Sequence, residues 1–334
     1  MNALKLSFLR GLFLCSAVAG NLCAATVLAQ SYPSSHSQSY PTKPVRVIVA
    51  FTVGGTTDIL TRAVSQKLTE RLKQSFVVEN KPGGGGNIGT EYVAKAPADG
   101  YTLIMNSVGP IAVNLSLYKK LNINPLVDLV PIVQVADVPN VLVVNQNLPI
   151  KSIEELIAYG KSNPGQLNYA STGVGTSSHL SGFMLARRAG IEATHIPYKG
   201  ADALTDLISG RVQMMFATIP SVIQHIHAGK LRAIAVTSLK RSRSMPTVPT
   251  VAERGFPGFE AGSWFGLFAP KDTPPEVILF INQQVNELLP SLEAQLIREG
   301  ADPAGGSALK FSQFVHKEYE KWKIIVRESG AAAD

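Results

Sequence analysis

VRVIVAFTVGGTTDILTR, residues 45–62, decides how this chain folds. Val45 to Phe51 is an unbroken run of mainly β-branched and apolar residues, the pattern of a strand covered on both faces. Thr56 to Gln74 carries apolar residues at Ile59, Leu60, Ala63, Val64 and Leu68, a helical spacing. Between them lies a short turn containing Gly54 and Gly55. A strand passing through a glycine turn into a helix opens a βαβ unit, and such units build mostly parallel sheets.

The same grammar continues on either side. Phe76–Val78 reads as a second strand, Lys81–Asn87 (KPGGGGN) as a glycine-rich turn and Tyr101–Met105 as a third strand. The pattern resumes after Pro131, through a strand at 141–145. Ser152–Ser162 is a predicted helix with a capping box, Ser152 at the N-cap and Glu155 three residues on. Strand Leu167–Ala170, helix Ser177–Ala189, strand Thr194–Tyr198 and helix Ala201–Ser209, stopped by Gly210, follow. Strand Val212–Phe216, helix Ser221–Ala228 and strand Leu231–Val236 complete this stretch. Ser263–Ala269 is apolar and aromatic. Thr273-Pro274-Pro275 opens a helix running to about Leu289, with proline tolerated in the first turn. Lys310–Glu328 forms a long amphipathic helix. No repeat of solenoid length is present.

The first thirty residues read differently. Met1 to Arg10 carries Lys5 and Arg10 and no acid, and an apolar run follows from Gly11 to Leu28. Val27 and Ala29 stand in an A-x-A-like arrangement before Gln30. This predicts a cleaved signal peptide over 1–29 and export to the periplasm. A membrane anchor is the competing reading, but Gly20, Asn21 and Cys23 interrupt the run and no polar stop-transfer cluster follows it. Cleavage after Ala29 would remove both cysteines of the chain. Residues 30–42 read as a flexible leader.

Composition narrows the function. The chain has 334 residues, 45% of them hydrophobic and 16% charged, with a net charge of +7. This excludes intrinsic disorder, and two cysteines exclude a disulfide scaffold. The positive charge is dispersed, with no basic stripe or motif for nucleic acid. KPGGGGN lacks the ending of a P-loop, and no G-x-G-x-x-G follows a strand with an acid at the proper distance, so no nucleotide cofactor is expected. A nucleophile elbow G-x-S-x-G is missing. His225 and His227 fall on different helix faces, and no HExxH occurs, so no metal is expected.

The remaining signals are two strand-to-helix loops, Phe51–Asp58 and Ser171–His179. Each puts glycines beside a helix N-terminus, where free N–H groups and the dipole favour an anion. Ligands in open α/β sheets bind beyond the carboxyl ends of strands. Either loop alone reads as a tight turn; their pairing points to an anion clamped from both sides. Asp58, in a first helical turn, reads as a structural acid, and His179 as packed or hydrogen-bonded.

Longer segments carry a resemblance. YPTKPVRVIVAF (40–51), GGTTDILTR (54–62), NKPGGGGNIGTEYVAKAPADGYTL (80–103), GTSSHLSG (175–182), IPYKGADALTDLISGRV (196–212), HAGKLRAIAVTS (227–238), VPTVAERGFPGFE (248–260) and WFGLFAP (264–270) resemble the extracytoplasmic solute receptors of tripartite tricarboxylate transporters, also called Bug or TctC-type binding proteins. The resemblance implies a two-lobed α/β Venus-flytrap fold with mostly parallel sheets. It implies crossings near Ala136–Val144 and Arg232–Ser238. The first lobe would take residues 43–138 and 236–334, and the second 139–235.

It also implies a ligand carboxylate held by backbone amides and water. By position, the first loop would supply Thr52, Val53, Gly54, Gly55, Thr56 and Asp58, flanked by Gly86, Asn87 and Ser107. The second would supply Ser171, Thr172, Gly173, Gly175, Thr176, Ser177 and His179, flanked by Tyr198, Lys199, Gly200, Ala201 and Thr218. Two positions depart from the family pattern. Val53 stands where the first loop usually has Pro or Ala, and Ala217 where an acid often follows Phe216, which weakens the case for an amino-acid ligand. The expectation is a monomeric, non-enzymatic receptor that delivers a small carboxylate to membrane transporter subunits. The alternatives are an exported enzyme acting on small acids and a sensory receptor docking a histidine kinase.

Overall fold

The computed structural model describes residues 40–198 and 202–333. The expected signal peptide, most of the leader, and Lys199, Gly200 and Ala201 lie outside the described residues. The elements run β1 (Val45–Val49), α1 (Thr56–Leu72), β2 (Phe76–Asn80), α2 (Asn87–Ala94), β3 (Thr102–Ser107), α3 (Asn114–Leu117), α4 (Pro125–Asp128), β4 (Leu129–Asn145), α5 (Ile153–Ser162), β5 (Asn168–Ser171), α6 (Ser177–Ala189), β6 (Thr194–Pro197), α7 (Asp202–Ile208), β7 (Met214–Thr218), α8 (Ile219–His227), β8 (Leu231–Val236), β9 (Gly262–Pro270), α9 (Pro275–Arg298), β10 (Asp302–Pro303) and α10 (Ala308–Ser329).

The sheet follows the order β2-β1-β3-β9-β4-β7-β5-β6, with β8 and β10 also paired to β4. It has two halves, each flanked by helices, and β4 belongs to both. From Leu129 to Pro139 that strand pairs with β9, and from Asn140 onward with β7 and β8. The chain returns between β8 and β9, where the Thr237 N–H donates to the Asn140 carbonyl and the Ala261 N–H to the Thr237 carbonyl. This is the two-lobed α/β fold with two crossings. Pairing is parallel among β1, β2 and β3 and among β5, β6 and β7, as βαβ units require. It is antiparallel wherever β4 and β9 take part.

Both faces of the sheet are covered, which is why its strands read as unbroken apolar runs. Val45 and Val47 pack on one side with Leu60, Val64 and Leu68 of α1 and Ile281, Val285 and Leu292 of α9. Ile48 and Ile104 pack on the other, in a cluster that reaches Leu142, Leu180 and Phe216 of the second half and Trp322 of α10. Val141, Ala170, Ala217 and Val222 form a third cluster. The C-terminal helix is seated through a carboxylate: Glu318 Oε2 accepts the indole N–H of Trp264 at 3.0 Å and of Trp322 at 2.9 Å.

Several boundaries differ from the sequence reading. The strand expected at 141–145 is the end of a 17-residue strand. Its prolines are tolerated where the ladder is irregular: the register shifts after Pro131, and Pro139 is the last residue paired with β9. Helix α9 continues through Pro290 because Leu288, Leu289, Leu292 and Leu296 keep their buried face. The segment after the glycine-rich turn is helical, and a π-helical turn at Gly109–Val113 precedes α3. In α5 the Ser152 hydroxyl accepts the Glu155 N–H, but the Glu155 carboxylate accepts the N–H of Lys151 instead of Ser152. Among the described residues no helix is long and apolar enough to cross a membrane.

Candidate functional site

The first loop leaves β1 with Thr52, Val53 and Gly54 exposed, Val53 at 70%. Gly54 adopts φ +82°, a conformation that suits glycine. Asp58 lies buried beneath the turn. Its carboxylate accepts the Gly54 N–H at 3.0 Å, Arg62 Nε at 3.0 Å and Asn80 Nδ2 at 2.9 Å. Burial alone would raise its pKa, but these bonds hold it below the usual carboxylate range. The acid therefore builds the loop. Asn80 ties the same turn to β2 by donating to the Phe51 carbonyl. Gly55 is the N-cap of α1, and no side chain caps that helix.

The glycine-rich turn lies against this loop. A Cβ on Gly86 would meet Pro110 at 2.4 Å and the Phe51 ring at 3.2 Å. Gly86 is the N-cap of α2, again without a side-chain cap. Its carbonyl accepts from Thr90, whose hydroxyl accepts from Asn106 at the end of β3. Asn114 donates to the Gly85 carbonyl and to Asn87 Oδ1. Ser107 is buried and paired with Phe265.

In the second loop Thr172 and Val174 are exposed, while Ser171, Gly175, Ser177 and His179 are buried. Thr176 caps α6, its hydroxyl accepting the His179 N–H at 3.3 Å. Ser177 donates to Asn140 Oδ1, and Asn140 donates to Ser181, so the loop is anchored on the crossing strand. Tyr198 donates to Asp206. Thr218 ends β7 and is the N-cap of α8, which also lacks a side-chain cap.

The two halves meet. The hydroxyls of Thr56 and Thr218 lie 3.2 Å apart, joining the start of α1 to the start of α8. Gly175 faces Leu117 of the first half, where a Cβ would come within 2.1 Å of Leu117 Cδ2. Leu117 is held from behind by Ala333, whose N–H donates to its carbonyl at 2.9 Å. The N-termini of α1 and α8, both without side-chain caps, thus lie together, that of α2 lies against Phe51 of the first loop, and the loop entering the capped α6 lies against Leu117. Neither loop carries a lysine or arginine. Burial pushes the His179 pKa down to about 4, so that ring is neutral near pH 7. The cleft offers neutral donors and aligned dipoles, an environment suited to an anion. Among the described residues no group of metal-ligating side chains occurs.

Known proteins share this architecture. The family model for the tripartite tricarboxylate transporter family receptor matches residues 60–331. The chain belongs to this family. Protein BugT of Bordetella pertussis is 40% identical, with 99% of each chain covered. Among solved structures, Rpa4515 of R. palustris, determined with adipate, is 39% identical with a TM-score of 0.84, covering 88% of this chain and 99% of that one. The periplasmic binding protein BugD is 35% identical with a TM-score of 0.80, covering 88% and 100%. As a TctC-family receptor, the protein is a periplasmic solute-binding protein.

Sequence reasoning overlooked several residues that shape this receptor's cleft. Asn80, Asn114 and Asn140 brace its loops, Leu117 closes on Gly175, and His195 lies beneath Ser171. Asparagine in a loop is too common to stand out. Leu117 and His195 come to the cleft only through tertiary packing.

Proposed function

We propose that this receptor captures a small carboxylate between residues 51–58 and 171–179 and delivers it to membrane transporter subunits of the tripartite type. The observation that carries the reading is the meeting of two helix N-termini without side-chain caps, those of α1 and α8, where Thr56 lies against Thr218. Each leaves backbone N–H groups for an anion, and no fixed cation of the loops competes. The Rpa4515 structure with adipate favours a ligand with carboxylates and an apolar body. The exposed Val53 and Val174, one on each loop, suit such a body. The lobes would divide at 138/139 and 235/236, close to where β4 changes partners, and the exported chain would start near Gln30.

Thermal shift and calorimetric titration with adipate, citrate, benzoate and glutamate, each beside its neutral amide, test this. A carboxylate should stabilise the protein and its amide should not. Equal binding of the amide would refute the assignment. Product analysis of the same mixtures addresses the enzyme alternative: the ligand should be recovered unchanged.

A further inference from the structure

The second loop rests on two stacked imidazoles. His179, in the first turn of α6, and His195, on the edge strand β6, have ring centroids 3.8 Å apart and planes 17° apart. Tyr169 of β5 extends the stack, 5.0 Å from His195. Each imidazole is bonded to the loop above it. His179 Nδ1 accepts the Gly175 N–H at 3.1 Å. His195 Nε2 lies 2.6 Å from Ser171 Oγ. That hydroxyl accepts the Gly173 N–H at 3.1 Å and lies 2.9 Å from the Gly173 carbonyl. Its single proton serves either the Gly173 carbonyl or a bare His195 Nε2, and in both arrangements His195 holds the loop through Ser171. His179 Nδ1 must be bare to accept. His179 is therefore neutral, with its proton on Nε2, and His195 is kept neutral near pH 7 by burial.

Charging the pair would undo the bond to Gly175. A protonated His179 carries N–H on Nδ1 and sets a donor against the Gly175 N–H. Two cationic rings in contact also repel. Burial drives His179 down to about 4, and burial followed by the charge of His179 drives His195 to about 3. No carboxylate is among the groups acting on either ring. Strand β5 brings Tyr169; β7 and β9 bring no ionisable side chain, and the acid of β4, Asp137, lies in the part paired with β9. On α6 itself Arg187 and Arg188 lie in the last turn, Arg187 paired with Glu328 of α10 and Arg188 over the Phe259 ring. They are roughly 12 Å along the helix from His179 at its ordinary rise.

We propose that His179 and His195 are positioning residues for ligand capture: as an uncharged stack they hold the 171–176 loop in its binding geometry, and on taking up protons they release it. The proposal rests on the reading of this loop as part of the carboxylate site.

Hydrogen exchange at the Gly175 amide, adipate titration and two variants of the full chain test it. In His179→Asn, Oδ1 replaces Nδ1 as acceptor and cannot be charged. In His179→Leu the acceptor is gone. At pH 7 the wild type and His179→Asn should protect Gly175 alike. His179→Leu should lose about tenfold in both protection and adipate affinity, the weight of one hydrogen bond. Between pH 7 and 3, exchange at Gly175, corrected for its intrinsic pH dependence, should rise in the wild type and stay level in His179→Asn. If His179→Leu does not fold, the pH comparison decides alone. Equal protection in His179→Leu and wild type, or the same pH profile in wild type and His179→Asn, would overturn the proposal. Failure of every carboxylate to bind the wild type would instead remove the capture reading, and the Gly175 exchange would still report on the stack.

Discussion

Gly175 concentrates two constraints on one residue. Its φ is +77°, and Leu117, itself buried, occupies the space a side chain would need. Gly175→Ala should therefore cost roughly 1–2 kcal/mol for the left-handed backbone alone, before the steric clash. Adding Leu117→Ala should relieve the clash but leave the backbone strain, so denaturant unfolding of the single and double mutants separates the two. A Gly175→Ala protein as stable as the wild type would contradict this account. The buried His179 and the half-buried His195 set a pH dependence. An ordinary histidine titrates near 6.5, and these two are depressed to about 4 and about 3. The unfolded chain binds protons first, so stability is full above about pH 6.5 and falls as the pH drops toward these values. The slope should approach 1.4 kcal/mol per pH unit for each ring, about 1.4 being the free energy of one pKa unit. Replacing both histidines should flatten the profile between pH 6.5 and 4.

Among the elements, α9 holds a helix breaker without breaking. Pro290 is exposed in the middle of a 24-residue helix and cannot donate to the Asn286 carbonyl. Pro290→Ala should restore that bond and raise stability by roughly 1–3 kcal/mol, less than or close to the interior proline penalty. An unchanged or lower melting temperature would show that the surrounding packing has already absorbed the cost. The same helix shows what local reading can see. The apolar run Val45–Phe51, the Ser152 cap and the glycine punctuation reveal the strand-and-helix alternation. Pro290, Pro131 and Pro139 suggest breaks, yet two sheet neighbours and a buried leucine face outweigh their local preference. The two loops were legible because glycine beside a helix start has a local cause. The contact of Thr56 in the first loop with Thr218 at the start of α8, 162 residues away, is tertiary and leaves no local trace.

For the molecule as a whole, a shared core argues against independent lobes. One hydrophobic cluster contains Ile48 and Ile104 of the first half together with Leu142 and Phe216 of the second. Calorimetry should show a single unfolding transition whose calorimetric and van't Hoff enthalpies agree. Two resolved transitions would assign the halves separate cores. Ligand should shift that transition upward as one unit. At about a hundredfold excess over its dissociation constant it adds roughly 2.7 kcal/mol, which for a chain of this size is roughly 5–10 °C. A shift confined to part of the unfolding enthalpy would argue against a site shared by both lobes.

The bond of both indoles to Glu318 has an optical consequence. The chain has only two tryptophans, and Trp264 and Trp322 are both buried against that one carboxylate oxygen. Neither belongs to the loops at the cleft. Tryptophan emission therefore reports the seating of the C-terminal helix on the sheet and not the arrival of ligand. A fluorescence change on titration would be a readout of strain transmitted from the cleft to α10, and a silent titration that still shows heat would locate the binding event away from it.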